Sequence, residues 1–256
     1  MNRIRRLFLN PSEKVMPYIT AGYPHLDSTV DLALSAAEAG ADMIEIGIPF
    51  SDPQADGPII QKASEVALDN GITMEIIFKQ VKKIRLKSEI PIALMGYYNP
   101  ILKMGHDSFL DNCFQSDIDG IILPDLPFDE VKLFCGEIKK SNISPILLVA
   151  PNTPSKRIEE ISNLAGDLIY AVSILGITGN KLSSKNKLKN YLKRVRLNSK
   201  TPFIVGFGIS SREDVKWFNK YSDGAVVGSA IIKELDAKKD NNKSCKNYIK
   251  MLKGIK

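Results

Sequence analysis

An acidic residue, Glu45, interrupts an apolar run in which Ile44 and Ile46 flank it on both sides. Alternate residues of a β-strand point to opposite faces, so a strand with both isoleucines on one face places Glu45 on the other. Burial disfavours the charged form of a carboxyl group and raises its pKa. Such a carboxyl can give and take a proton near neutral pH, as a general acid or base does. A structural carboxylate paired with a Lys or Arg is the other interpretation.

A second carboxylate, Asp56, follows eleven residues later on a loop that contains Pro49, Pro53, Gly57 and Pro58. Proline fixes φ and glycine permits unusual backbone angles, so this loop is expected to have a defined shape. Two carboxylates in different environments can divide the acid and base roles between them. Asp is also a common turn residue, so a purely conformational role stays open.

Two segments of small residues predict an anion site. Residues 206–211 (GFGISS) and 228–230 (GSA) each follow an apolar run. Small residues let backbone N–H groups and a helix N-terminus approach an anion closely. Ordinary turn and capping chemistry is the alternative, but the presence of both segments favours phosphate. Residues 175–180 (LGITGN) predict a lid that closes on substrate or, alternatively, a long surface loop.

Eight short apolar or β-branched runs predict the strands that position these residues: 15–20, 43–46, 91–97, 120–123, 145–149, 168–172, 202–205 and 225–227. Segments with helical spacing lie between them, such as Ile59, Ala63, Val66 and Ala67. Eight βα units in about 250 residues predict an α/β fold, a single (β/α)8 TIM barrel over residues 1–256 with extra helices. In such a barrel the functional groups lie at the carboxyl ends of the strands. A doubly wound sheet is the competing fold, but both of its nucleotide fingerprints, GxGxxG and GxxxxGK[ST], are absent.

Composition excludes several classes of protein. The chain has 256 residues, 44% of them hydrophobic and 25% charged, which is typical of a globular protein. No apolar run approaches the ~18 residues of a membrane span. Three cysteines and two histidines predict neither a disulfide framework nor a zinc site, and we expect no bound metal. The basic N-terminus lacks the apolar stretch of a secretory signal, which predicts a location in the cytoplasm, or in the plastid stroma if organelle-encoded.

The net charge of +6 comes partly from residues 179–200, which contain no acidic side chain. A nucleic-acid or membrane surface is one interpretation of this run. The run is mostly lysine and lacks the interleaved aromatic residues that stack on bases. A solvated helix face is therefore favoured, and we expect neither nucleic acid nor membrane as a partner.

The motifs together resemble one known family. The most specific is residues 45–53 (EIGIPFSDP), continued by 55–58 (ADGP). Supporting segments occur in the same order and spacing: 17–22 (PYITAG), 97–100 (YYNP), 124–127 (PDLP), 176–179 (GITG), 206–210 (GFGIS) and 228–230 (GSA). Over nearly its whole length the sequence resembles the α subunits of tryptophan synthase.

The resemblance implies a lyase that cleaves indole-3-glycerol phosphate to indole and glyceraldehyde 3-phosphate by a reversed aldol reaction, with no cofactor of its own. Glu45 matches the family's acid/base carboxylate. Asp56 matches the carboxylate that binds the indole N–H, and Tyr170 matches a tyrosine that assists beside the substrate; from the pattern alone, core packing would explain Tyr170. Thr178 matches the lid residue that meets Asp56 on closure.

The resemblance also assigns the binding residues. Gly179, Gly208, Gly228 and Ser229 match the phosphate site. The apolar walls around the indole ring match six residues: Tyr18, Met95, Ile122, Leu148, Phe207 and Val226.

The family's partner is a β subunit that uses pyridoxal phosphate and receives indole through a tunnel in an α2β2 heterotetramer. Asp52, Pro53 and residues 99–105 match the contact regions for that subunit. A stand-alone lyase that releases free indole, a non-catalytic module that only activates β, and a phosphate-binding barrel with another substrate are the alternatives.

Overall fold

Eight parallel strands close into one barrel in the order of the chain. The computed structural model describes residues 2–173, 185–237 and 240–255. The strands are β1 Val15–Thr20, β2 Ile44–Gly47, β3 Ile92–Met95, β4 Gly120–Ile122, β5 Ser144–Val149, β6 Ile169–Val172, β7 Phe203–Gly206 and β8 Gly224–Val227. Each predicted run becomes a strand with its ends moved by no more than two residues, so the predicted (β/α)8 barrel is confirmed.

Helices surround the barrel. The described ranges contain twelve of them for eight strands, so the expected extra helices are present. They are α1 Arg3–Leu7, α2 Ser28–Glu38, α3 Pro58–Asp69, α4 Met74–Arg85, α5 Tyr98–Met104, α6 His106–Gln115, α7 Phe128–Lys140, α8 Ser155–Ala165, α9 Lys185–Asn198, α10 Arg212–Asn219, α11 Ser229–Asp236 and α12 Asn241–Lys253. Among these helices, none combines the length and the apolar character that crossing a bilayer requires.

Strand register determines which side chains point into the barrel. Tyr18 of β1 pairs with Glu45 of β2, and Glu45 pairs with Ala93 of β3. Paired residues of neighbouring strands share a face of the sheet, and Tyr18 lines a cavity inside the barrel. Glu45 therefore points inwards, as the alternation of its strand predicts.

The loop after β2 passes directly into helix α3. Gly57 is the N-cap residue in an extended conformation, and Pro58 occupies the first turn, where its missing N–H costs nothing. The buried face of α3 begins at Ile60 and continues through Ala63, Ser64 and Ala67. This face holds the start of α3, and with it Asp56, against the mouth of the barrel.

Helix α1 closes the opposite end of the barrel. Ile4 is fully buried, and its Cδ1 atom lies 2.7 Å from the place that a Cβ on Gly120 would occupy. Arg3 donates a hydrogen bond to Asp119, and Arg85 pairs with the same carboxylate at 2.6 Å. The N-terminal ends of the strands are thus covered by an apolar plug that ion pairs hold in place.

The described part of the basic run forms helix α9. Its buried face consists of Leu188, Tyr191, Leu192 and Val195. Lysines on the other side, such as Lys193, are exposed. An apolar stripe on the barrel and charges towards solvent match the solvated helix face that the sequence favours.

Candidate active site

A narrow cavity at the carboxyl ends of the strands brings together residues from six strands or the loops and helices that follow them. Its lining consists of Tyr18, Asp56, Ile60, Met95, Tyr170, Phe207, Gly208, Ile209, Val226, Gly228 and Ser229. All of these except Ile60 and Ile209 are residues that the sequence analysis placed in the site. The cavity therefore lies where catalysis is expected in a barrel of this kind.

Glu45 is fully buried beside this cavity without being part of its lining. Within the described part of the chain, neither of its carboxyl oxygens has a hydrogen-bond partner. Burial raises the pKa of Glu45 to about 8. The carboxyl consequently holds its proton at neutral pH, and no ion pair in the described residues supports the alternative of a structural salt bridge.

Asp56 is also buried, with 7% of its surface exposed, but it has a hydrogen-bond donor. The Tyr97 hydroxyl lies 3.1 Å from Oδ2 of Asp56 and donates to it, while the Ala55 N–H donates to the same hydroxyl at 2.9 Å. Burial raises the pKa of Asp56 to about 6, and the bond from Tyr97 opposes that rise. Asp56 is therefore mostly ionised at neutral pH, whereas Glu45 is mostly protonated.

Two tyrosines of the cavity lie close to Glu45. The Tyr18 hydroxyl lies over Gly47 and the Tyr170 hydroxyl over Gly206, each in space that a Cβ would fill. Burial, and after it the charge of Glu45, raises the pKa of Tyr170 far above its ordinary value. Burial likewise raises the pKa of Tyr18. Both phenols therefore remain protonated and can donate hydrogen bonds.

The end of the cavity beside the start of α11, away from Asp56, has the features of an anion site. Gly228 is the N-cap residue of α11 and has no side chain that could cap the helix, and Ser229 opens the first turn. Gly208 lies in the turn after β7 with a φ of 77°. The first N–H groups of a helix have no partner within that helix, and together with the positive end of the helix dipole they favour a negative charge here.

Two other predicted site residues do not line the cavity, and two more lie outside the described residues. Ile122 and Leu148 belong to β4 and β5 but do not line the cavity. Thr178 and Gly179 lie outside the described residues. In the described ranges, no three His, Cys, Asp or Glu side chains are grouped so that they could hold a metal ion.

Three residues of the site were not named individually in the sequence analysis, although Ile209 lies in the predicted anion segment 206–211. Ile60 and Ile209 line the cavity, and Tyr97 is the hydrogen-bond donor to Asp56. Tyr97 belongs to the segment 97–100 (YYNP), and membership of that segment was the only indication in the sequence that it lies near the site. Ile60 starts the buried face of α3, and the third residue of that face is Ser64. Because Ser64 is polar, the apolar spacing in the sequence does not identify this face.

Comparison with known proteins agrees with this geometry. The family model described as "Tryptophan synthase alpha chain" matches residues 8–255. The chain belongs to this family. A tryptophan synthase alpha chain from Petrotoga mobilis is 46% identical over 257 residues, with 99% of each chain covered. One from Flavobacterium psychrophilum is 41% identical and covers 92% of this chain and 94% of its own.

Solved structures of the tryptophan synthase alpha family share the fold. The α subunit from Legionella pneumophila has a TM-score of 0.91 at 34% identity, covering 99% of this chain and 98% of its own. A chain from the α2β2 tryptophan synthase complex of Pyrococcus furiosus has a TM-score of 0.88 at 36% identity, covering 96% and 99%. The barrel fold thus occurs in solved structures of this family.

Replacement of Glu45 by glutamine should stabilise the fold in a pH-dependent way. The pKa of Glu45 is about 8 in the folded chain against an ordinary 4.5, so its ionisation on unfolding favours the unfolded state increasingly as pH rises from 4.5 to 8. We expect Glu45→Gln to raise the free energy of unfolding by about 2–4 kcal/mol at pH 8 and hardly at all at pH 5. Urea denaturation at both pH values measures this difference. The exposed Glu65→Gln is the control, and equal effects of both variants would contradict the assignment.

Replacement of Tyr97 by phenylalanine should raise the pKa of Asp56 above about 6, because the variant lacks the hydroxyl that stabilises the carboxylate. Carbon-13 NMR titration of the Asp56 carboxyl measures this pKa. Tyr98→Phe is the matched control, since the Tyr98 hydroxyl bonds to His106 instead. An unchanged titration in Tyr97→Phe would show that the bond does not control Asp56.

Proposed function

We propose that the chain cleaves indole-3-glycerol phosphate to indole and glyceraldehyde 3-phosphate, the α reaction of L-tryptophan biosynthesis, and passes indole to a β subunit. One observation carries this proposal: a protonated carboxyl and an ionised carboxyl meet an anion-binding turn at the same barrel mouth. Family membership names the substrate that requires this combination.

The first step is protonation of the indole ring. The bond between ring and side chain breaks only after C3 of indole gains a proton, and Glu45 supplies it because its pKa of about 8 keeps the acid form at neutral pH. Glu45 does not line the cavity, so a change of rotamer has to bring its carboxyl to C3. Positive charge then develops on the ring nitrogen. The ionised Asp56 accepts the N–H hydrogen bond and stabilises that charge.

The second step breaks the carbon–carbon bond. The side-chain hydroxyl next to the ring gives its proton to the Glu45 carboxylate, and its oxygen becomes the carbonyl oxygen of glyceraldehyde 3-phosphate. The electron pair of the broken bond returns to the ring and neutralises it as indole. Glu45 regains the proton that it donated, so the cycle requires no external acid. The hydroxyl of Tyr170, which lines the same cavity, assists as a hydrogen-bond donor.

The cavity holds the two ends of this substrate differently. Tyr18, Met95, Phe207 and Val226 form an apolar wall suited to the indole ring. The phosphate binds to the backbone N–H groups of Gly208, Gly228 and Ser229, with Gly179 as a further ligand, and Ile122 and Leu148 extend the wall. Thr178 approaches Asp56 when the lid closes. This chemistry is acid–base catalysis by side chains, so we propose that the chain needs no cofactor and that pyridoxal phosphate belongs to the β subunit.

A groove beside the mouth supports docking of a β subunit. The loop residues Pro49, Phe50 and Ser51 line it together with Pro100 and Leu102 of α5. Leu102 is half exposed, which leaves apolar surface available to a partner. Asp52 and Pro53 line an adjoining crevice. We propose an α2β2 heterotetramer assembled on this face, with the cytoplasm or a plastid stroma as the compartment.

Steady-state assay of the chain with indole-3-glycerol phosphate, with and without a tryptophan synthase β subunit, tests the function. Wild type should release indole, while Glu45→Gln should lose activity by at least about 10²-fold, because glutamine cannot donate the proton. The variant should still bind β in gel filtration, and Glu159→Gln, an exposed site on α8, should keep full activity. No indole from wild type under either condition would refute the proposal. High activity with no β binding would favour a stand-alone lyase.

The pH profile should have an alkaline limb set by Glu45. Above its pKa of about 8 the carboxyl has lost the proton needed at C3, so kcat/KM should fall about tenfold for each further pH unit. Asp56→Asn should be slower by about 10²–10⁴-fold but should keep the same limb, because Glu45 is unchanged. A rate that stays constant up to pH 9.5 would exclude Glu45 as the acid. Stopped assays between pH 7 and 9.5 measure the limb.

A further inference from the structure

Ser173, the residue directly after β6, makes three hydrogen bonds to the end of the neighbouring strand β7. Its side chain is fully buried. The hydroxyl lies within hydrogen-bond distance of two carbonyl oxygens, that of Gly206 at 2.8 Å and that of Phe207, and shares its single proton between them. The backbone N–H of Ser173 also donates to the Gly206 oxygen, at 3.1 Å. One side chain thus ties the end of β6 to the first residues of the turn after β7.

This turn has an unusual backbone. Phe207 has a φ of 75° and Gly208 a φ of 77°. Glycine adopts such angles freely, but a residue with a Cβ does so at a cost. Strained conformations persist only where the surroundings hold them. The hydroxyl of Ser173 supplies a donor to the carbonyl of the strained residue itself, Phe207.

Both ends of the cavity depend on the same turn. The Phe207 ring packs edge-on against Tyr170, with 6.0 Å between ring centroids and 71° between the planes. Gly208, the next residue, lines the anion end. If Phe207 returned to an ordinary negative φ, its ring and the N–H groups that follow would both move.

We propose that Ser173 is a positioning residue for substrate binding. Its hydroxyl holds Phe207 and Gly208 in the left-handed turn that shapes both the apolar wall and the phosphate-binding end of the cavity. The identity of the substrate in this inference rests on the proposed function. Ser173 touches backbone and not substrate, so its effect is on binding geometry.

Kinetics of Ser173→Ala test the proposal. The loss of the hydroxyl should raise KM for indole-3-glycerol phosphate about three- to tenfold, with kcat within about twofold of wild type, as expected for one hydrogen bond that supports binding. Inorganic phosphate, used as a competitive inhibitor, should weaken by a similar factor. Ser173→Thr retains a hydroxyl and should restore KM towards wild type.

Ser222→Ala is the matched control. The hydroxyl of Ser222 is buried and likewise shares its single proton between two carbonyl oxygens, those of Phe218 at 2.9 Å and Gly224 at 3.2 Å. Gly224 begins β8, so these bonds lie at the end of the barrel opposite the cavity. Ser222→Ala should therefore lose comparable hydrogen bonds while leaving KM and phosphate inhibition unchanged.

The outcomes separate this inference from the function on which it rests. Active wild type together with an unchanged KM and unchanged phosphate inhibition in Ser173→Ala would overturn the role of Ser173 and leave the function standing. If wild type releases no indole, the crystal structure of Ser173→Ala decides. A positive φ retained at Phe207 would overturn the inference, and a return to negative φ would support it.

Discussion

The burial of the Glu45 carboxyl without a partner is the constraint on which the chemistry of the barrel mouth depends. A charged group there would cost several kcal/mol, so the acid form is favoured up to about pH 8. Asp56 is buried nearly as completely, yet the hydroxyl of Tyr97 keeps its pKa near 6. Two differences separate the protonation states: Glu45 is more completely buried, and Asp56 alone accepts a hydrogen bond. The same fold thereby provides an acid and an anion at one end of the barrel.

Much of the fold could be predicted, because apolar runs and their alternation with helical segments are local properties. The direction of Glu45 followed from the same local rule, since its flanking isoleucines occupy the opposite face of β2. The small residues in the loops at the carboxyl ends of β7 and β8 also predicted a place for an anion to bind. Family resemblance named individual residues, and most of those that the structure describes line one cavity.

The remaining features depend on contacts between distant parts of the chain. Tyr97 reaches Asp56 across 41 residues, and no spacing rule connects them. The choice between an acid and a salt bridge for Glu45 depended on which charges lie nearby in space. The positive φ of Phe207 cannot be predicted from the sequence, because phenylalanine, unlike glycine, does not favour that conformation. Pattern predicts which face of a strand a residue occupies but not its depth in the barrel. Ile122, which the family resemblance assigned to the apolar wall, does not line the described cavity.

The plug formed by Ile4 at the base of the barrel determines how products leave. Ile4 packs against Gly120 at the start of β4, so side chains fill this end of the barrel, and the described cavity lies at the opposite end. Under the proposed function, indole released in that cavity leaves at the same end by which the substrate entered. Substrate and product then both pass the loops that follow the strands. A protein bound to those loops therefore controls both entry and release.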